Sequence, residues 1–444
     1  MEIMISTSHF VQRRHRLLAQ MLPASAALFF AAPEQRRSRD TEYHFRQNSD
    51  FWYFTGFNEP QALLLLMKSE SGQTRSVIFN RFKDKQAEIW SGRRLGQQAA
   101  LAQLAVDHAF SYEQIEQQLP MLLNGLQHLY LALGDDELAD KQVHDALHRL
   151  HTGSRQNLHA PTTLHDWRPL VHEMRLFKDD QEIALIRHAA HISAKGHLRA
   201  MQQVRVGMWE YQLEGEILHE FSQHGARFAA YNSIVGGGEN ACILHYTENE
   251  QRLQDGSLVL IDAGCEYQGY AGDITRTLPV NGRFTPPQRQ IYQLVLRAMQ
   301  AALDLFKPGE TIHKINQTVI RIMVEGLVEL GILQGEVDQL IEDKAYLAFY
   351  MHGLSHWLGL DVHDVGDYHG TDRSRTLEPG MVLTVEPGLY IASDADVPAQ
   401  YRGIGVRIED DILITATGHD NLTASVPKDA DQIEAIILKH ASEQ

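Results

Sequence analysis

At 444 residues the chain is too long for one ordinary core and points to two domains, and its 43% hydrophobic and 22% charged residues place it in the globular range. A formal net charge of -17 disfavours nucleic acid as a main partner, because phosphate binding needs a dense cationic footprint and no Lys/Arg cluster supplies one. The richest basic stretch, Arg36, Arg37 and Arg39, is broken at once by Asp40 and Glu42 and reads as a solvated loop.

In chain order, a helical pattern from residue 9 through Leu17, Leu18 and Met21 leads into a strand, ASAALFFAA, and then a polar loop over 33–50. Buried strands follow at 62–67, 76–79 and 128–133, with helical periods near 97–105, 112–126 and 136–150, which together describe a mixed α/β domain. The stretch HTGSRQNLHAPTTLHDWRP (151–169) is rich in small, polar and proline residues and is the expected link, with the boundary near residue 175, giving domains 1–175 and 176–444. Helices are expected over 179–204, 209–224, 285–306 and 311–330, the first two with acidic first turns that suit the helix dipole. From Tyr231 the texture changes to short strands and glycine turns, and all the chemistry-bearing motifs lie there.

No run reaches the roughly 18 apolar residues of a spanning helix, so no membrane partner is expected. Only Cys242 and Cys265 are present, which fits a reducing, cytoplasmic setting without a disulfide framework.

The segment SLVLIDAGCEYQGYAGDITRT holds two strands able to pair antiparallel, each with one aspartate, Asp262 at the end of an apolar run and Asp273 inside the second strand, where aspartate is disfavoured. Alone, each also reads as a turn or surface residue. MHGLSHWLGLDVHD places His352, His356 and His363 close together, but Gly353 stands where a zinc-helix motif needs glutamate, and Gly353 and Gly359 argue against a regular helix. One metal ligand among the three, with the others serving hydrogen bonding or proton transfer, fits better. VLTVEPGLY puts Glu386 at a strand end, and in GVRIEDDILI the period of two places Arg407, Glu409 and Asp411 on one face, opposite Val406, Ile408, Asp410 and Ile412. If Asp262, Asp273, His356, Glu386 and Glu409 converge, four carboxylates share one space, a like-charge cluster that two divalent cations would neutralise. Mostly oxygen donors with one imidazole suit Mn²⁺ first, then Co²⁺ or Zn²⁺.

These residues, in the order Asp, Asp, His, Glu, Glu, resemble the pita-bread-fold metallopeptidase family. Within it the motifs YNSIVGGGENACILHYTEN, IDAGCEYQGYAGDITRT, MHGLSHWLGLDVHD, VEPGLYI and YRGIGVRIEDD are similar to the bacterial Xaa-Pro aminopeptidase (aminopeptidase P) branch. DFWYFTGFNEP, AEIWSGRRLG and DWRPLVHEMRLFK extend the likeness to the N-terminal half. The resemblance implies an α/β (α+β) chain with a mixed N-terminal domain serving oligomerisation and substrate access, followed by a pita-bread catalytic domain. It implies that Asp262 holds one metal, that His356 and Glu386 hold the other, and that Asp273 and Glu409 bridge both. His245 and His363 would sit beside the metals, assisting substrate binding or proton movement, and His352, Tyr390 and Arg407 would surround the leaving proline. Trp90 resembles an aromatic contributed by a neighbouring subunit, with a plain strand tryptophan as the other reading.

The implied reaction is removal of an N-terminal residue preceding proline, by a metal-bridging hydroxide attacking the Xaa-Pro carbonyl with Glu386 moving the protons. The implied assembly is a homo-oligomer, a tetramer by family expectation, and the partners are peptides with proline second. The nearest competing reading is an Xaa-Pro dipeptidase (prolidase). A methionine aminopeptidase lacks so large an N-terminal half, and a creatinase-like metal-free hydrolase or a non-catalytic binding module of the same fold conflicts with the complete ligand set.

Overall fold

The computed structural model describes residues 4–369 and 374–441, and the chain divides into two compact units, Ile5–Arg175 and a larger one from Leu176 onward. The first unit is built on a six-stranded sheet. Its order is His108–Ser111, Thr74–Asn80, Leu63–Lys68, Ser25–Phe30, His128–Tyr130, Thr163–His165. Leu63–Lys68 runs antiparallel to both its neighbours, and the other pairs are parallel.

Strands buried on both faces need no polar alternation, which is why SAALFF and LLLLM read as continuous apolar runs. On one face Ala26, Leu28, Leu63, Leu65, Val77 and Phe79 pack against Ile115, Leu119 and Leu123 of the Ile115–Leu123 helix and Val143, Ala146 and Leu150 of Glu137–Thr152. On the other, Phe29 meets Phe54 and Trp167, with ring centroids 4.7 and 4.8 Å away.

The expected link over 151–169 is not a free linker. Its Thr163–His165 segment is the edge strand of the sheet, and Trp167 is buried, donating from Nε1 to the Leu28 carbonyl at 3.0 Å. The polar composition reflects an exposed sheet edge, and burial of one tryptophan outweighs it. The strand expected over 128–133 is also shorter, His128–Tyr130.

In the larger unit the expected helices form at Asp180–Gln203, Glu210–Gln223, Pro286–Leu305 and Ile312–Glu329. Asp179 caps the first, accepting from the Gln181 and Glu182 N–H groups, while Glu182 reaches back to the Asp179 N–H. Pro286–Leu305 and Ile312–Glu329 lie close because Gly326 faces Leu294. A Cβ at 326 would sit 2.3 Å from the Leu294 Cδ1.

Four small sheets carry the site. Leu258–Asp262 pairs antiparallel with Ile234–Gly237 and Thr275–Pro279, setting Asp262 opposite Ile234 and Thr275. Val382–Val385 pairs with Asp410–Ile414, and Gly388–Ile391 with Ile404–Arg407, setting Gly388 opposite Arg407. A lone bridge between Thr275 and Glu409 joins two of these sheets. Phe228–Ala229, Cys265–Tyr267 and Tyr270–Ala271 form the fourth. The expected antiparallel pairing of the two aspartate strands is present, but Asp273 lies in the break between Tyr270–Ala271 and Thr275–Pro279 rather than within a strand.

Candidate active site

A cavity of about 580 Å³ in the larger unit is lined by Asp262, Asp273, His356, Glu386 and Glu409 together with His245, His352, His363 and Arg407. Three of the donors are tightly grouped: one ligand atom each from Asp273, His356 and Glu409 lie within 4.8 Å of one another. His356 Nε2 is 3.4 Å from Asp273 Oδ2 and 3.5 Å from Glu386 Oε1. Its Nδ1 lies 3.0 Å from the Trp357 carbonyl, an acceptor, so that nitrogen carries the proton and Nε2 is turned to the carboxylates. The backbone around 351–360 is irregular, as its glycines require.

Glu409 is aimed by its bridge to Thr275. The Thr275 hydroxyl donates to Glu409 Oε2 at 2.6 Å, and the Glu409 N–H donates to the Thr275 carbonyl at 3.1 Å. The period of two survives the strand break at 408–409: Arg407 and Glu409 line the cavity, and Asp411 accepts the Asp273 N–H at 2.9 Å. Asp410, on the opposite face, pairs with the fully buried Arg276 at 2.7 Å. Arg276 also donates to the Glu409 carbonyl at 2.6 Å, so a buried, fully engaged guanidinium fixes the backbone that carries Glu409.

The electrostatics are those of crowded like charges. Burial pushes Glu409 and Asp411 well above the ordinary carboxylate range, with Asp273 adding to both. Burial raises Glu386 to about 7 despite His356 and Arg407 nearby, and burial with Asp262 raises Asp273. Burial also acts on Asp262, but Arg407 and the bonds from Tyr231 and Arg407 outweigh it and hold Asp262 below its ordinary value. Although burial opposes it, the carboxylates Asp273 and Glu386 lift His356 to about 9.

Arg407 pairs with Asp262 and so splits the two aspartates, and the Tyr231 phenol bridges them. The Tyr231 hydroxyl lies 2.6 Å from Asp262 Oδ1 and 2.5 Å from Asp273 Oδ1. One phenol has one proton to share between two carboxylates, so it bridges Asp262 and Asp273 without neutralising both. Such a set, rich in oxygen, with one imidazole and more negative charge than one guanidinium balances, fits divalent cations.

A second chain leads outward. Arg407 Nη2 donates to Asp262 Oδ2 at 2.6 Å, and Nη1 donates to the Tyr390 hydroxyl at 2.8 Å. That hydroxyl is 2.8 Å from His352 Nε2, and His352 Nδ1 is 3.8 Å from Glu386 Oε2. Burial and Arg407 push His352 down to about 4, so it is neutral. Tyr390 is buried behind the cavity rather than on its wall. His363 stacks edge-on to His356 with centroids 4.4 Å apart. Trp90 lies in the first unit, 90% exposed in the short Lys85–Ser91 helix, so the strand alternative for it does not hold.

Residues 184–416 match metallopeptidase family M24, and residues 10–130 match the aminopeptidase P N-terminal domain. The chain belongs to metallopeptidase family M24. It is 63% identical to the Xaa-Pro aminopeptidase of Escherichia coli K12, over 98% of each chain, and 54% identical to that of Haemophilus influenzae, over 96% of each. Its fold matches a glutamate-to-alanine variant of Escherichia coli aminopeptidase P in complex with substrate, with a TM-score of 0.98, 62% identity and complete coverage of both chains. It also matches proline aminopeptidase P II from Yersinia pestis, with a TM-score of 0.96 and 63% identity over 98% of this chain and 100% of that one. The protein is therefore a metallopeptidase with the M24 pita-bread catalytic unit preceded by an aminopeptidase P N-terminal unit.

Residues the sequence reading passed over are the hydroxyl groups of Tyr231, Thr275 and Thr384, which orient the acidic and histidine set, while Asp411, already placed on the Glu409 face, accepts the Asp273 N–H. Hydroxyls carry no pattern of their own. Their partners are 28 to 134 positions away, so only the tertiary fold brings them in.

Proposed function

We propose that this protein is a metal-dependent aminopeptidase that releases the N-terminal residue of peptides with proline in the second position. The observation that carries the reading is the convergence of Asp262, Asp273, His356, Glu386 and Glu409 on one cavity that also holds His245, His352 and Arg407, in a chain 63% identical to an Xaa-Pro aminopeptidase.

Those five residues would hold two divalent metal ions, with Mn²⁺ the first choice and Co²⁺ or Zn²⁺ the alternatives. Asp262 would serve one ion, and His356 and Glu386 the other. Asp273, with Oδ1 toward Tyr231 and Oδ2 toward His356, would be shared, as would Glu409. When bound, the ions polarise the scissile carbonyl and lower the pKa of the attacking water. Glu386 takes the proton from that water and passes it toward the proline nitrogen. His245 or His363 donates to the developing oxyanion, while His352 and Arg407, both held from behind by the Tyr390 hydroxyl, flank the departing proline. That nitrogen has no N–H, so a pocket lacking an acceptor for it costs proline nothing and disfavours other residues.

The N-terminal unit serves assembly and substrate access in a homo-oligomer, a tetramer by analogy with the family. Its Lys85–Ser91 helix buries none of its residues and leaves Ile89 and Trp90 80% and 90% exposed, which supports Trp90 reaching a neighbouring subunit's site. A cytoplasmic setting is supported by the two free thiols, and no helix among the described residues is long and apolar enough to cross a membrane.

The deciding experiment strips the protein with a chelator, restores Mn²⁺, Co²⁺ or Zn²⁺ separately, and compares Xaa-Pro-Yaa tripeptides with Xaa-Pro dipeptides. Metal-dependent cleavage of tripeptides is expected. Cleavage of dipeptides alone makes the protein a prolidase, and activity untouched by complete metal removal refutes the mechanism.

A further inference from the structure

Glu210 is the first residue of the Glu210–Gln223 helix and is wholly buried, yet it takes no part in the chemistry above. Its Oε1 accepts the Gly237 N–H at 2.7 Å and the Asn240 amide at 3.1 Å. Its Oε2 accepts the Tyr246 hydroxyl and the Gln251 N–H, both at 2.8 Å. Four donors saturate the four lone-pair directions of an ionised carboxylate, which lets the charge sit in the core without a cation.

The donors fall in two groups. Gly237 and Asn240 precede His245, and Tyr246 and Gln251 follow it. Between them the chain carries Leu244, His245 and Thr247 into the cavity wall. Tyr246 packs with Ile234, Ala241, Leu260 and Tyr390, the same Tyr390 that bonds His352 and Arg407. Close approach is built in, since a Cβ at Gly405 would lie 2.3 Å from the Ala241 carbonyl oxygen.

We propose that Glu210 is a positioning residue for catalysis, a buried clamp that closes both ends of the 238–251 segment and thereby fixes His245 against the reacting carbonyl. This rests on the role given to His245 above. In Glu210→Gln the shape is kept, but the amide nitrogen turns a donor toward a backbone N–H, that of Gly237 or of Gln251, which can only donate, so one end of the clamp opens.

The test combines hydrogen exchange with a double-mutant cycle. In the chelator-treated protein, Glu210→Gln raises amide exchange over 238–251 and leaves the Pro286–Leu305 and Ile312–Glu329 helices as protected as before. In the metal-loaded enzyme it lowers kcat on an Xaa-Pro-Yaa tripeptide about 10-fold with a smaller change in KM, and in a His245→Ala background the same substitution lowers kcat by less than about 3-fold. Glu216→Gln, which breaks only the Arg199 pair on the outer face of the same helix, leaves kcat and exchange unchanged. Tyr246→Phe removes one of the four bonds and gives a weaker version of both effects, so the clamp is tested even if Glu210→Gln folds poorly. Equal kcat losses with and without His245, or exchange over 238–251 no faster than elsewhere, overturn the proposal. A His245→Ala enzyme of unchanged kcat removes instead the role of His245, and with it the link from clamp to catalysis.

Discussion

Replacing Glu386 with glutamine should destroy activity and yet stabilise the metal-free protein. Burial, with Asp273 and Asp262 nearby, raises this carboxyl from 4.5 to about 7, about 2.5 pH units, which at about 1.4 kcal/mol each is about 3 kcal/mol. A folded-state pKa raised above the unfolded value means stability fully present below about pH 4.5 and lost as pH rises through about 7. Glutamine resembles the neutral carboxyl at every pH, so the variant escapes that loss. For a unit of this size about 3 kcal/mol corresponds to roughly 6–12 °C in Tm. Thermal melts of chelator-treated proteins should therefore place Glu386→Gln above the wild type by that order at pH 8 and by well under half of it at pH 5. With metal restored the order reverses, because the wild type binds the ion that stabilises it and the variant has lost a ligand. A metal-free variant melting at or below the wild type at pH 8 would refute the crowded-carboxylate account of this cavity.

Other substitutions probe the same framework. Asp273→Ala removes the carboxylate facing both Tyr231 and His356; turnover should fall to background and bound metal, measured by elemental analysis, should drop, whereas near-normal turnover would count against the site. Tyr231→Phe keeps the ring but frees Asp262 and Asp273, and metal titration should show affinity reduced about 10–100-fold. In the N-terminal unit, burial pushes the Asp50 carboxyl up, but Arg175 at 2.8 Å and His172 more than reverse this and hold it below its ordinary value. Its contribution is present above the unfolded carboxylate pKa and lost as pH falls through the folded one, so acid unfolding of Asp50→Asn should show a shallower loss of stability below about pH 4 than the wild type.

What the sequence determined by itself was local. Two apolar strands ending in or near aspartate, a glycine-broken histidine run, and glutamates at strand ends are short-range patterns, and they were enough to single out Asp262, Asp273, His356, Glu386 and Glu409 as candidates. The periodicities of the long helices were equally legible, because each is a repeat within about 20 residues. The 151–169 stretch reads as a linker for the same reason: composition shows polarity, but pairing with His128–Tyr130 and burial of Trp167 are long-range events. Only the tertiary structure decided that Asp273 lies in a strand break, that Tyr231 divides its bonds between two aspartates, and that Glu210 clamps the His245 segment. Hydrogen bonds of 2.5–3.1 Å between residues tens of positions apart leave no periodic trace in the chain, because they depend on how separate sheets and helices are brought side by side.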